Sequence, residues 1–287
     1  MASKVPPLLE PYLALPPEAS LILLTSVLGA NTNWLVLRFL HSALASPGDE
    51  DTKVVFVSFV RDFAFWKEGA KRLSLGIWCC EESVADIHQG LDLEKLAAKK
   101  RFQFVNGLTA LFVPGMQIAL VGKAGERILS NPALEPVSRE ILGSIQNLKG
   151  DRGRILLVVD QLDLLLAAGS EHIGVVGLAD MLMGFREEVH STVTTLAADF
   201  PLVSVQRTPL EKDHAAFLLS VAHQADYTMG LRLLDTGTAR DVSGVIRITV
   251  GDQLIEDDRD IQRRIEEREL LYFVGGDGGV RVFERGQ

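Results

Sequence analysis

Apolar residues in this chain follow two patterns: short continuous runs, and longer segments in which they recur every three or four positions. Continuous runs rich in β-branched residues are typical of strands buried on both faces of a sheet, whereas the wider spacing is typical of helices with one buried face. The runs predict strands at 21–27, 54–60, 102–105, 155–159 and 192–196. The spaced segments predict helices at 33–45, 63–75, 134–148, 175–189 and 214–223.

Beyond residue 223 strands dominate, at 227–234, 245–250, 270–274 and 280–283, and the sequence GGDG provides a tight turn between the last two. This order predicts an α/β three-layer sandwich, with a mostly parallel central sheet between helices and antiparallel strands at its C-terminal edge. No Gly/Ser-rich linker divides the chain. We therefore expect a single domain at 20–287 after a proline-rich segment at 1–19, while the pattern at 108–130 assigns no element.

Composition narrows the class of protein. A net charge of −9 argues against general nucleic-acid binding, although a local basic patch remains open. The two cysteines, Cys79 and Cys80, are adjacent, so a bridge between them would be strained and a four-ligand zinc site lacks ligands. The chain has no run of apolar residues long enough to span a membrane, and its start lacks the pattern of a secretion signal. We expect a soluble, intracellular protein.

The loop between the first strand and the first helix stands where many α/β proteins bind a nucleotide phosphate. Such a loop needs several glycines, a lysine for the β- and γ-phosphates and a hydroxyl for Mg²⁺. Here it offers Gly29, Asn31, Thr32 and Asn33, with Thr32 where the lysine would stand, and no cation lies between Gly29 and Arg38. The loop therefore resembles a nucleotide loop that has lost its cation. Alternatively, its Asn and Thr side chains simply cap the helix.

An acid at the end of an apolar strand would form the second half of a nucleotide site. ILLVVD, which ends at Asp160, has that form, and this carboxylate would hold Mg²⁺ through water. Many such acids only cap a turn, however. Together with the loop, Asp160 suggests an ATPase-type scaffold whose catalytic half has decayed.

No other catalytic constellation is visible. The histidines are scattered, and neither GxSxG nor GxGxxG occurs. In DFAFWKEGAKRL, the aromatic residues Phe63, Phe65 and Trp66 stand beside basic residues, which suits a protein interface or an RNA contact. Aromatic residues at helical spacing are also common in protein cores, so that alternative stays open.

Five stretches of the chain together resemble the Elongator complex protein 6 family, whose members are subunits of the Elongator accessory ring. They are TSVLGANTNWLVLRFLHSAL, VVFVSFVRDFAFWKEGAKRLSLG, RFQFVNGLTALF, ILLVVDQLDLLLA and LADMLMGFREEVHSTVTTLAADFPLV. The resemblance covers most of residues 20–235. Its most specific parts are GANTNW and SFVRDFAFWKEGAKRL.

The resemblance implies a RecA-like fold with degenerate nucleotide motifs and assembly with the fourth and fifth Elongator subunits into a hetero-hexameric ring. That ring binds tRNA and supports wobble-uridine modification by the catalytic Elongator subcomplex, in the cytoplasm and nucleus. The resemblance implies no catalytic role and no cofactor for this chain, although the ring can bind ATP weakly.

The family's pore-facing loops would correspond to residues 164–174 and 201–212. On that basis we expect Arg207 and Lys212 near RNA, unless that loop is simply solvated. The basic triplet Lys99, Lys100 and Arg101 is a second candidate patch.

Two other function classes remain open. The chain could be an active RecA-like ATPase, although the absence of lysine from residues 29–34 argues against efficient hydrolysis. It could also be an adaptor that recognises only proteins. Measurement of ATP turnover distinguishes an active ATPase from a non-catalytic ring subunit. Measurement of tRNA binding distinguishes a protein-only adaptor from that subunit.

Overall fold

The computed structural model describes residues 5–45, 51–73, 90–112, 125–150, 153–168, 173–237, 239–251, 265–276 and 278–286. Within them, ten strands form one sheet in the order β10-β9-β8-β7-β1-β6-β5-β2-β3-β4. The strands are β1 (Ser20–Ser26), β2 (Thr52–Ser58), β3 (Phe102–Asn106), β4 (Glu126–Ile128), β5 (Arg154–Asp160), β6 (Ser191–Ala197), β7 (Tyr227–Arg232), β8 (Gly244–Val250), β9 (Arg268–Val274) and β10 (Val280–Phe283).

The sheet is parallel from β4 to β7 and antiparallel from β7 to β10. Helices cover both of its faces. They are α1 (Glu10–Leu13), α2 (Asn33–Ala45), α3 (Phe63–Arg72), α4 (Leu93–Ala98), α5 (Leu134–Leu148), α6 (Leu164–Ala168), α7 (Val175–Glu188) and α8 (Pro209–Gln224). The predicted α/β three-layer sandwich with antiparallel C-terminal strands is therefore confirmed.

Two hydrophobic clusters fill the space between the layers. One joins the sheet to α2, α3 and α4, and the other joins it to α5, α6, α7 and α8. Along β1, Ile22 and Leu24 belong to the first cluster, whereas Leu21 and Leu23 belong to the second. This alternation explains the continuous apolar runs, because a strand covered on both faces has no side for polar residues.

The proline-rich start of the chain packs on the first of these clusters. A 3-10 helix at Pro7–Leu9 leads into α1, and Leu9, Tyr12 and Leu13 are buried. The Tyr227 hydroxyl donates a hydrogen bond of 2.6 Å to the Tyr12 carbonyl. Within the described ranges, no helix is long and apolar enough to traverse a bilayer.

Several elements depart from the sequence prediction. The predicted loops at 164–174 and 201–212 are wrong as continuous loops, because they include α6, a π-helix at Pro201–Val205 and the start of α8. The helix predicted to start at residue 214 starts at Pro209, behind a capping box formed by Thr208 and Glu211. Strand β4 was missed within 108–130, where residues 113–124 lie outside the described part of the chain.

Candidate functional site

The connection from β1 to α2 is a tight turn at the carboxyl edge of the sheet. The Ala30 amide donates a hydrogen bond of 2.9 Å to the Val27 carbonyl, which closes the turn. Gly29 has a φ of 91°, and a Cβ added there would lie 3.3 Å from Leu233 Cδ1. A glycine is needed for this conformation and this close approach. The turn is thus closed by its own backbone hydrogen bond.

Much of the amide hydrogen-bonding capacity of this turn is already used. The Leu28 amide donates to Asp199 Oδ1 at 2.7 Å, and the Asn33 amide donates to Asn31 Oδ1 at 3.2 Å. The Thr32 carbonyl accepts from the amides of residues 35 and 36. A carboxylate on the turn and the lack of a lysine make this loop a poor match for a triphosphate, because a phosphate would meet the charge of Asp199.

Asp160 lies at the carboxyl end of β5, as predicted from its strand, and only 2% of its surface is exposed. Its Oδ2 accepts a hydrogen bond of 2.7 Å from Ser58 Oγ on β2, and its Oδ1 accepts one of 2.8 Å from Thr195 Oγ1 on β6. Burial raises the pKa of this carboxyl group. Asp160 thus links three adjacent strands, and both its oxygens already have partners.

Gln161, which the sequence did not single out, lies between Asp160 and the β1–α2 turn. It adopts a left-handed conformation with φ of 58°, and its amide donates to Thr195 Oγ1 at 2.9 Å. Its side-chain Nε2 lies 3.3 Å from Thr195 Oγ1 and 3.5 Å from Ser26 Oγ on β1. The Gln161 side chain therefore reaches from β5 across β6 towards β1. In a nucleotide site of the kind considered above, the nucleotide and its metal would lie here, between the β1–α2 turn and Asp160.

A buried acid and a buried histidine face each other behind this edge. Asp163 and His214 are 6% and 4% exposed, and His214 Nδ1 lies 3.6 Å from Asp163 Oδ2. His214 Nε2 lies 2.7 Å from the Ala197 carbonyl, so Nε2 carries the proton that is donated there. Burial raises the pKa of Asp163 to about 6, although His214 opposes the shift, and Asp163 Oδ1 has no hydrogen-bond partner among the described residues. No sequence pattern points to this pair, because its members are remote along the chain.

The two predicted basic patches lie at opposite ends of the parallel strands, one at their carboxyl ends and the other at their amino ends. Arg207 and Lys212 are exposed at the carboxyl edge, beyond β6 and in the first turn of α8. The Arg207 amide donates to the Glu211 carboxylate, and hydrogen bonding, chiefly from the Thr208 amide, holds the pKa of Glu211 below its usual value. Lys99, Lys100 and Arg101 immediately precede β3 and therefore lie at the amino edge. The two patches cannot form one continuous basic surface along a single edge.

The predicted aromatic interface is wrong for two of its three residues. Phe63 and Trp66 are 3% and 0% exposed and pack in the core, with Trp66 in an edge-to-face contact with Phe56 at 4.7 Å between ring centroids. Both point inwards from α3, as expected for apolar residues three positions apart. Phe65 is 41% exposed, and Arg61 lies over its ring at 5.1 Å. Of these three residues, only Phe65 is accessible to a partner.

A cavity of about 410 Å³ lies beside the β1–α2 turn, on the face covered by α2 and α3. Its lining combines residues of the turn and of α2, α3 and β9, among them Asn31, Trp34, Arg38, Phe65 and Tyr272. Clefts outside the carboxyl ends of parallel strands are the usual ligand sites of open α/β sheets. Within the described residues, no group of three or more His, Cys, Asp or Glu side chains can hold a metal ion.

Comparison with known proteins identifies the fold. A KaiC-like protein of the hyperthermophilic archaeon Pyrococcus horikoshii OT3 superimposes with a TM-score of 0.53 at 13% identity, over 93% of this chain and 91% of that one. An uncharacterized protein from Pyrococcus horikoshii, solved with an unknown peptide, gives 0.54 at 12% identity over 100% of both chains. These similarities show a RecA-like fold. No family model and no curated protein matches the chain.

Proposed function

We propose that this chain is a non-catalytic subunit of the Elongator accessory ring. In this role it assembles with the fourth and fifth Elongator subunits into a hetero-hexamer, contacts tRNA and supports wobble-uridine modification by the catalytic subcomplex in the cytoplasm and nucleus. The observation that carries the proposal is the Leu28–Asp199 hydrogen bond of 2.7 Å, in a turn whose residues 29–34 contain no lysine. A RecA-like scaffold with this turn retains its shape and loses its means of holding a triphosphate.

The polar network at the carboxyl edge also supports a structural role. Asp160 is 2% exposed and accepts a hydrogen bond at each oxygen, from Ser58 and Thr195, so this carboxylate connects neighbouring strands. Gln161 then covers the space between Asp160 and the turn. These side chains stabilise the edge of the sheet rather than leave an open metal site.

Exposed apolar side chains near this turn support assembly with other proteins. Leu28, Phe200 and Leu233 are 87%, 71% and 45% exposed. They lie close together because Asp199, next to Phe200, bonds the Leu28 amide, and Leu233 packs against Gly29. We call Leu28, Phe200 and Leu233 the apolar edge patch. Exposed apolar patches on soluble proteins commonly mark protein–protein contacts.

The decisive experiment is co-expression of this chain with the fourth and fifth Elongator subunits, followed by mass measurement of the purified assembly. We expect a single complex with two copies of each chain. Failure of this chain to enter any complex with those subunits would contradict the proposal.

Transfer RNA binding is tested separately on the purified assembly. Neutralising Arg207 and Lys212 together should reduce the slope of log affinity against log salt by about one unit for each phosphate that these residues neutralise. Neutralising Lys99 and Lys100, at the opposite edge, provides the comparison. An unchanged slope in both variants removes these residues from the tRNA-binding surface, and no tRNA binding by the unsubstituted assembly would favour a protein-only adaptor.

The active-ATPase alternative is tested with the same assembly. Efficient hydrolysis that is lost on Asp160→Asn and retained in variants of the other subunits would assign catalysis to this chain. We expect no such dependence, because the turn has no lysine and both oxygens of Asp160 are already bonded.

A further inference from the structure

The cavity beside the β1–α2 turn contains an arginine whose charge is not neutralised within the described residues. Arg38 is 3% exposed and lines the cavity of about 410 Å³. Its Nη1 donates to the Trp34 carbonyl at 3.1 Å and its Nη2 to the Gly278 carbonyl at 3.2 Å. Both acceptors are neutral, and no carboxylate of the described residues pairs with this guanidinium.

Two buried donors at this place lack an acceptor in the described part of the chain. Arg38 Nε and Trp34 Nε1 make no hydrogen bond to any described residue, although both side chains line the cavity. The guanidinium carbon lies 5.9 Å from the centre of the Trp34 ring. Burial lowers the pKa of Arg38 to about 10. A buried charge with unpaired donors is costly unless an acceptor, best an anion, completes it.

The remaining lining determines the class of anion. Most of its exposed surface is apolar, and Leu37, Phe65 and Tyr272 belong to this lining together with Arg38. Arg72 and Glu68 also line the cavity and form an exposed ion pair with each other. Among the described lining residues, Arg38 is therefore the one unneutralised cation, and a single cation matches a monoanion better than a polyphosphate. Cavities of this size suit small molecules.

We propose that this cavity binds a small organic monoanion, with a carboxylate head at Arg38 and an aromatic or branched apolar body against Trp34 and Tyr272. The carboxylate would supply the missing counter-charge, since arginine and carboxylate form strong charge-assisted hydrogen bonds. This site is independent of the proposed function: it stands or falls on ligand binding by the chain itself, whether or not that chain assembles with other subunits.

The test uses the full chain and three groups of probes, followed by saturation-transfer NMR and calorimetry. The first group is 3-phenylpropionate and indole-3-propionate, the second their neutral alcohol counterparts, and the third AMP and Mg-ATP. We expect the carboxylates to bind and the alcohols to bind at least about tenfold more weakly, because they lack one charge-assisted hydrogen bond. We expect AMP and Mg-ATP to bind more weakly than the carboxylates.

Three variants locate the site. Arg38→Met should reduce carboxylate affinity at least about tenfold, as expected when a charge-assisted hydrogen bond is removed. Because Arg38→Met also removes two structural hydrogen bonds, Val274→Phe provides a second variant that fills the cavity and keeps the arginine. Arg281→Met is the matched control, since Arg281 lies over Phe273 and does not line the cavity.

The proposal is overturned by any of five results. These are no binding of either carboxylate, equal binding of the alcohols, tighter binding of AMP or Mg-ATP, unchanged affinity in folded Arg38→Met, and unchanged affinity in folded Val274→Phe. Loss of affinity in Val274→Phe with retention in Arg281→Met supports it, even where Arg38→Met fails to fold.

Discussion

Asp199 Oδ1 accepts a hydrogen bond of 2.7 Å from the backbone amide of Leu28. The turn that would face a phosphate is thus held by a carboxylate from the end of the neighbouring strand β6. We expect Asp199→Ala to destabilise the protein by about 1–2 kcal/mol, because the bond involves a charged acceptor but lies at the surface. Urea unfolding measures this change. Asp199→Asn keeps an acceptor oxygen and should be less destabilised, so an equal destabilisation of both variants would contradict this role of the bond.

Substitution of Asp160 tests whether its hydrogen bonds stabilise the sheet. Its removal in Asp160→Ala leaves the buried hydroxyls of Ser58 and Thr195 without their acceptor, which should cost about 2–4 kcal/mol. Asp62 supplies the control, since its exposed side chain caps α3 through the Phe65 amide and Asp62→Ala should cost about 1 kcal/mol. The two free energies of unfolding are compared by urea denaturation. A destabilisation at Asp160 no larger than at Asp62 would show that the network does not stabilise the sheet.

The Asp163–His214 pair makes stability depend on pH. Burial raises the pKa of Asp163 in the folded state to about 6, above the unfolded value of about 3.9. A raised carboxyl pKa means that the folded state binds the proton more tightly. The proton on Asp163 therefore stabilises the folded state in full below about pH 4. This contribution to the free energy of unfolding, on the order of 3 kcal/mol, is lost as the pH rises through 6.

The pH effect is isolated by comparing the unsubstituted chain with Asp163→Asn from pH 4 to pH 8. Asparagine cannot ionise, so the unsubstituted chain should lose stability relative to the variant as the pH rises. His214, which faces Asp163, is tested by His214→Gln, and Asp180→Asn on the exposed surface of α7 is the control. A constant difference between the chain and Asp163→Asn across this range would rule out the shift.

The hydrophobic pattern was sufficient to predict the layers of the fold because burial on both faces leaves a direct mark on each strand. Strand β5 shows this, since every residue from Ile155 to Asp160 is buried. The pattern also placed α2 and α5 at their observed bounds. It failed at the three-residue strand β4, which is too short to show a period, and at the start of α8, where capping rather than apolar spacing sets the boundary.

The candidate site was less predictable because its hydrogen bonds and ion pairs join residues that are distant in sequence. Asp199 contacts Leu28, and Asp163 contacts His214, because the pairing of β1, β5 and β6 brings these distant residues together. The absence of lysine from the turn was visible in the sequence, whereas the carboxylate that bonds its amide was not. The aromatic residues of α3 show the same limit, because aromatic residues beside basic ones suit an interface as well as a core, and only the packed helix shows Trp66 buried and Phe65 exposed.

The α3 aromatic residues give a matched pair for stability. Trp66 is fully buried against Phe56, whereas its neighbour Phe65 is 41% exposed. Trp66→Ala should therefore cost about 3–5 kcal/mol, as large-to-small changes in a core do, and Phe65→Ala less than about 1 kcal/mol. Thermal or urea unfolding distinguishes them. Similar destabilisation of both variants would mean that Trp66 is not part of the core.

The apolar edge patch gives the prediction that bears most directly on assembly. Leu28→Asp and Phe200→Asp place charges on side chains that are 87% and 71% exposed, so the isolated chain should keep its stability within about 0.5 kcal/mol. If the patch contacts a neighbouring subunit, the same changes should weaken the ring, because a charge would be buried without a partner. Mass photometry of the co-expressed subunits measures this weakening. Val176→Asp, on the outer helix α7 and 73% exposed, is the matched control, and an intact ring in the Leu28→Asp, Phe200→Asp double variant would exclude the patch as a subunit interface.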